Sequence, residues 1–146
     1  MKRRVFNTCI APSLTYACET WTLTVAEKRK LAVAQRRMER AMLGITRVPN
    51  EVIRRRTMLT DILDMVWRRK VKWATNVARM NEERWSKCLT EWIPRGRKRN
   101  VGGQYMRWED DLKERMVEHG WQGQQWPTVA RSSARQFLQL MGPAEI

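Results

Sequence analysis

Apolar side chains along this chain recur at spacings of three and four, and the punctuation between them is helical almost throughout, so the sequence predicts an all-α protein. Thr24-Val25-Ala26-Glu27 has the spacing of a capping box, in which the Thr hydroxyl and the Glu carboxylate satisfy free amides at a helix start. The helix it opens carries Leu31, Ala34, Met38, Ala41, Met42 and Ile45 on one face, with Arg29, Arg36 and Arg40 opposite and Gly44 placed to end it. Pro49-Asn50-Glu51 starts a short helix that holds Val52, Ile53 and the run Arg54-Arg55-Arg56. The longest helix is expected to open at Thr60-Asp61 and run to about Met80, because Asp61 and Asp64 fall in a first turn where the macrodipole favours anions. Its apolar side, from Ile62 through Val66 and Val71 to Val77 and Ala78, is too broad for a free surface helix. Arg68, Lys72, Thr75, Asn76 and Arg79 share the other side.

Between Ile93 and Gln104, Pro94 and three glycines break the periodicity among four basic residues, which reads as a basic linker. Beyond it, Tyr105 to His119 predicts a helix with Glu109, Asp110 and Asp111 early, and a last helix runs from about Pro127 to Gly142-Pro143. The expected architecture is a small helical bundle over 1–92, a basic Gly/Pro linker over 93–104, and a C-terminal helical pair over 105–146.

Charge changes this picture from fold to partner. The first hundred residues hold 24 Lys+Arg against 9 Asp+Glu, whereas the last 46 hold 5 against 6. A segment this rich in arginine is most simply a surface for a polyanion such as DNA or RNA. A chain of 146 residues buries one modest core or two small helical units. Eight Trp are read mostly as packing anchors, and Cys9, Cys18 and Cys88, at spacings that fit neither zinc nor a redox motif, as thiols in a reducing compartment. No apolar run is long enough for a secretion signal or a membrane span, so the expectation is a soluble intracellular protein, nuclear or cytoplasmic, that does not bind membranes.

Several blocks, in order, resemble one family. Ile10-Ala11-Pro12-Ser13-Leu14-Thr15-Tyr16-Ala17-Cys18-Glu19-Thr20-Trp21 is similar to the segment after the palm in reverse transcriptases of non-LTR retrotransposons, which reads as a proline, a tyrosine-glycine pair, then a glutamate and a tryptophan. Gln35 to Ile45 resembles that family's arginine-rich helix ending in leucine-glycine-isoleucine, and Asn50 to Thr57 the short helix after it. Arg69 to Met80 is similar to its tryptophan-alanine-glycine-histidine-valine-alanine-arginine block, and Gly96-Arg97-Lys98-Arg99 with Arg107-Trp108-Glu109-Asp110-Asp111 to its basic linker and arginine-tryptophan-acidic block. Ala17 stands where the family prefers Gly, and Thr75-Asn76 where it has glycine-histidine. The resemblance implies the C-terminal part of an RNA-directed DNA polymerase: the thumb, which grips template-primer duplex, and the tail, without the catalytic palm or the endonuclease.

By the residues alone, the chain offers no catalytic side chain and requires no cofactor and no metal. Glu109-Asp110-Asp111 are helix neighbours that point in different directions, and His119 sits in a last turn where positive charge is welcome. The expected contacts to phosphate are Arg36, Arg37, Arg40, Arg54, Arg55, Arg56, Arg68, Lys72, Arg79, Arg97, Lys98 and Arg99. Competing readings are a helical module that meets an acidic protein, a degenerate transposon-derived frame without activity, and a thumb that completes a separate palm in trans.

Overall fold

The computed structural model describes residues 2–92, 107–118, 123, 125–132 and 135, and among them the secondary structure is helical with no strand. The helices are α1 (Lys2–Val5), α2 (Ala11–Leu14), α3 (Val25–Leu43), α4 (Asn50–Thr57), α5 (Ile62–Ala78), α6 (Trp85–Glu91), α7 (Asp110–Glu118) and α8 (Trp126–Ser132). A π-turn, Phe6–Ile10, joins α1 to α2, and a 3₁₀ turn, Cys18–Thr20, follows. Pro12 in α2 has no amide hydrogen to bond the carbonyl four residues back, and the wider turn sits just ahead of it, with Ala11 N–H reaching back to Phe6 O. None of the helices among the described residues is long and apolar enough to cross a membrane.

The chain divides into two compact units, Met1–Trp67 and Arg68–Ile146, so the division falls within α5. The expected linker, 93–104, lies outside the described residues, as do His119 and the end of the last expected helix.

In the first unit, Phe6, Ala11, Cys18, Leu59, Ile62 and Val66 are buried together, with Ile10, Leu14, Trp21, Leu23, Met38, Met42 and Met65 packed against them. The capping box at α3 forms as the sequence predicts: Glu27 N–H donates to Thr24 Oγ1 at 3.3 Å and Thr24 N–H to Glu27 Oε2 at 2.8 Å. Gly44, at φ +67°, ends α3 with the paired bonds of a Schellman motif, Gly44 N–H to Ala41 O and Ile45 N–H to Arg40 O. Two expectations change. The longest helix among the described residues is α3, not α5, because α5 stops at Ala78. The buried side of α3 is also not the purely apolar one: Gln35, Arg36 and Glu39 are buried while Ala34 and Ala41 are exposed, since this helix meets the start of another and must supply polar partners there.

In the second unit, Val71, Ala74, Val77 and Ala78 of α5, Leu112 and Met116 of α7, and Trp126, Val129 and Ala130 of α8 are buried. Thr75, expected on the polar side of α5, is buried too, its hydroxyl turned back to Val71 O at 2.9 Å. Carbonyls at and just past the C-terminus of α5 are closed from elsewhere in the unit: Arg131 Nε donates to Ala78 O at 2.8 Å and Lys87 Nζ to Met80 O at 3.2 Å.

Ala17 and Met58 hold left-handed backbone, at φ +53° and +50°. A Cβ there costs on the order of 1 kcal/mol. Replacing Ala17 with Gly is expected to stabilise the protein by about 1 kcal/mol, a rise in Tm of about 2–4 °C by scanning calorimetry. A fall in Tm would show that Ala17 makes a compensating contact.

The Glu27 carboxyl is held below the ordinary glutamate range, first by the Thr24 backbone amide and then by its hydroxyl. Because the folded value is the lower one, this stabilisation is present above the unfolded glutamate pKa and is lost as pH falls through the folded value. The Tm should therefore drop on acidification through that window, and by less in Glu27→Gln.

Candidate nucleic-acid interface

The arginines and lysines expected to touch phosphate separate into distinct groups. Arg36 is not on an outward ridge: it is 8% exposed, pairs with buried Glu39 and donates through its other terminal nitrogen to Asp61 Oδ2 at 3.0 Å. Arg54 is engaged by the same oxygen, at 2.7 Å. Asp61 explains both, for it precedes the first residue of α5, where its Oδ1 accepts Leu63 N–H at 3.0 Å. Beside it, Gln35 accepts Ile62 N–H at 2.9 Å and donates to Thr60 O at 3.0 Å. The start of α5 is thus closed by a side chain of its own cap and one from α3, and the two arginines neutralise the cap.

Arg40 is half-buried and tethers the loop into α4, donating to Asn50 Oδ1 at 2.8 Å and Val48 O at 3.4 Å. Arg68 is half-buried on α5. Exposed are Arg37 on α3, Arg55 and Arg56 on α4, and Lys72 and Arg79, and none of these five has an ion pair among the described residues. In the first unit Arg55 lies opposite Ile53 and Thr57, which α4 buries, and exposed Arg56 flanks them. In the second unit Lys72, Asn76 and Arg79, at spacings of four and three, make one exposed stripe along α5 and its end. Arg97, Lys98 and Arg99 lie outside the described residues.

The acidic triplet is consumed by structure. Asp111 accepts from Lys70 Nζ at 2.8 Å, Glu109 from Lys113 Nζ at 2.7 Å and from Trp126 Nε1 at 3.3 Å, and Asp110 from the Arg107 amide. Lys70 is 2% exposed and also sits over the Trp108 ring, 5.2 Å from its centroid, while Trp108 meets Trp126 edge to face at 5.7 Å. No group of three or more His, Cys, Asp or Glu among the described residues could hold a metal ion. Sequence reasoning did not single out Gln35, Lys70, Lys87 or Arg131, whose polar atoms close helix ends or pair inside the units. The one signal for them was a polar residue inside an otherwise apolar helical stripe, as Lys70 is between Val66 and Val71.

No family model matches the chain, and no solved structure does. It is similar to an uncharacterized transposon-derived protein of Caenorhabditis elegans, at 34% identity over 137 residues covering 87% of this chain and 49% of that protein. The chain therefore spans about half the length of the curated relative it matches, and the similarity supports a transposon origin.

Removing the Asp61 carboxylate takes away a helix cap, worth about 1 kcal/mol, and leaves buried Arg36 with Glu39 alone, a loss smaller than the about 3–5 kcal/mol of a buried charge left with no partner. Asp61→Ala is expected to lose about 3 kcal/mol in urea unfolding, and Arg55→Ala less than about 0.5 kcal/mol. Equal losses would remove the distinction between structural and surface arginines.

Proposed function

We propose that this chain is a nucleic-acid-gripping segment of a retrotransposon RNA-directed DNA polymerase, corresponding to its thumb and C-terminal tail. It supplies grip and no chemistry. The observation that carries the reading is the exposed set Arg37, Arg55, Arg56, Lys72 and Arg79, set against the resemblance to non-LTR reverse transcriptases and the similarity to a transposon-derived protein. Where carboxylates are engaged inside the fold and these cations stand in water, a polyanion gains by releasing the counterions of its phosphates. Arginine and lysine reaching backbone phosphates position a duplex without reading its sequence.

On this reading Arg36, Arg54 and Arg40 hold the scaffold that presents the others. The cluster Arg97, Lys98 and Arg99 adds three positive charges to the chain. The ligand class is template-primer duplex, and the partner in the polymerase is the palm that precedes a thumb.

The test is fluorescence anisotropy of a labelled RNA–DNA hybrid titrated with the whole chain at several salt concentrations. Log affinity should fall linearly with log salt, with a slope of roughly −0.9 for each phosphate neutralised. Arg55→Ala with Arg56→Ala should weaken binding uniformly across sequences and make that slope shallower by about 2. Absence of binding at low salt, or a slope that the double substitution does not change, would overturn the reading.

A further inference from the structure

Trp85 and Trp92 anchor no core. They stand at the start of α6 and just past its end, 79% and 68% exposed, with Leu89, 68% exposed, between them on the same side. The side of α6 turned inward is polar: Lys87 is 2% exposed, donates to Met80 O and pairs with Glu82, and half-buried Glu91 accepts from Arg131 at 3.3 Å. Arg131 also donates to Ala78 O, so α6 is seated against the end of α5 within the second unit. The connection between the two helices, 79–84, is short and turned, with Met80 N–H bonded to Val77 O and Arg84 N–H to Asn81 O, both at 3.0 Å. It carries exposed Arg79 at one end and exposed Arg84 at the other, next to Trp85, and neither has an ion pair among the described residues. Glu82 is engaged by Lys87 and Arg131, which leaves Glu83 as the one carboxylate of this segment set against the two arginines.

We propose that the two rings are stacking platforms for the bases of a single-stranded nucleic acid whose phosphates meet Arg79 and Arg84. The proposal deepens the nucleic-acid reading and rests on it: the grip on duplex is electrostatic, and this second site takes unpaired nucleotides. Three exposed side chains make too small a patch for a stable protein interface. One indole face, by contrast, is a whole site for one base, and it accepts any base because each has a π-face. Charge selects the same occupant. Arg79 ends the exposed stripe that Lys72 and Asn76 begin on α5, and Arg84 adjoins Trp85, so positive charge runs from α5 to the first ring. Trp85 and Trp92 are seven residues apart, about 10 Å along a helix axis, so a strand of a few nucleotides reaches both. Leu89 fills the interval with apolar surface.

Fluorescence anisotropy of an unstructured labelled RNA of about 12 nucleotides, titrated with the whole chain across a salt series, separates stacking from charge. Trp85→Ala and Trp92→Ala should each weaken binding at least about 5-fold at every salt concentration. Neither should change the slope of log affinity against log salt, because a stacked ring releases no counterion. Trp85→Phe should recover most of the loss and Trp85→Leu should not. Arg79→Ala with Arg84→Ala should make the slope shallower by about 1.4, at roughly 0.7 for each phosphate of a single strand. All four side chains are exposed, so far-UV circular dichroism should stay unchanged in every variant. On a blunt RNA–DNA hybrid the tryptophan variants should bind as the unsubstituted chain does. A chain that binds the hybrid but not the single strand, or whose single-strand affinity is indifferent to both tryptophans, overturns this site and leaves the duplex reading standing. A chain that binds neither overturns both. Recovery by Trp85→Leu as full as by Trp85→Phe also overturns the site and assigns the stripe to an apolar partner, a lipid or a protein.

Discussion

Burying a helix start strands amide donors that water would otherwise satisfy, and the first unit is arranged around that requirement at α5. Asp61 and Gln35 accept the amides of Leu63 and Ile62, and Arg36 and Arg54 then converge on the Asp61 carboxylate. Three helices are thereby tied at one point, since Gln35 and Arg36 belong to α3, Arg54 to α4, and Asp61 opens α5. Two cations, Arg36 and Arg54, stand against two carboxylates, Glu39 and Asp61, so the knot is close to electrically balanced. Its cost is visible in Glu39, whose Oε2 is buried with no hydrogen-bond partner among the described residues. A balanced polar cluster of this kind adds little net stability over apolar packing, but any one member removed leaves the others stranded, so it selects one arrangement of the helices.

The second unit solves the complementary problem at the other end of α5. Carbonyls near its C-terminus accept from Lys87 and Arg131, and those two cations are in turn balanced by Glu82 and Glu91. The Glu82 carboxyl is held below its ordinary range chiefly by the hydrogen bond from Lys87. Further along, buried Lys70 is satisfied by Asp111 and by the face of Trp108. Each unit therefore uses basic side chains as internal connectors before any remain for the surface.

That allocation bears on charge. With 29 Lys and Arg against 15 Asp and Glu, cations outnumber carboxylates, and Glu39, Asp61, Glu82, Glu91, Glu109 and Asp111 are engaged by cations of the fold. Arg37, Arg55, Arg56, Lys72 and Arg79 are among the cations left in water. A net charge of +14 opposes its own compaction, and a polyanion relieves it.

Features governed by neighbours in sequence were readable from the chain. The capping box at Thr24, the glycine that ends α3, the short helix after Pro49 and the helical class depend on hydrogen bonds and periodicities a few residues long, so composition and spacing carry them. Arg36 and Arg37, adjacent and chemically identical, were indistinguishable by the same reasoning, yet one is buried against two carboxylates and the other is exposed. Their difference comes from where α5 begins in space, a contact 25 residues away in sequence. The buried Lys70 and the outward Trp85, Leu89 and Trp92 have the same origin. Helical periodicity says which residues share a face, but what that face meets is settled by packing between distant segments, which no local pattern encodes.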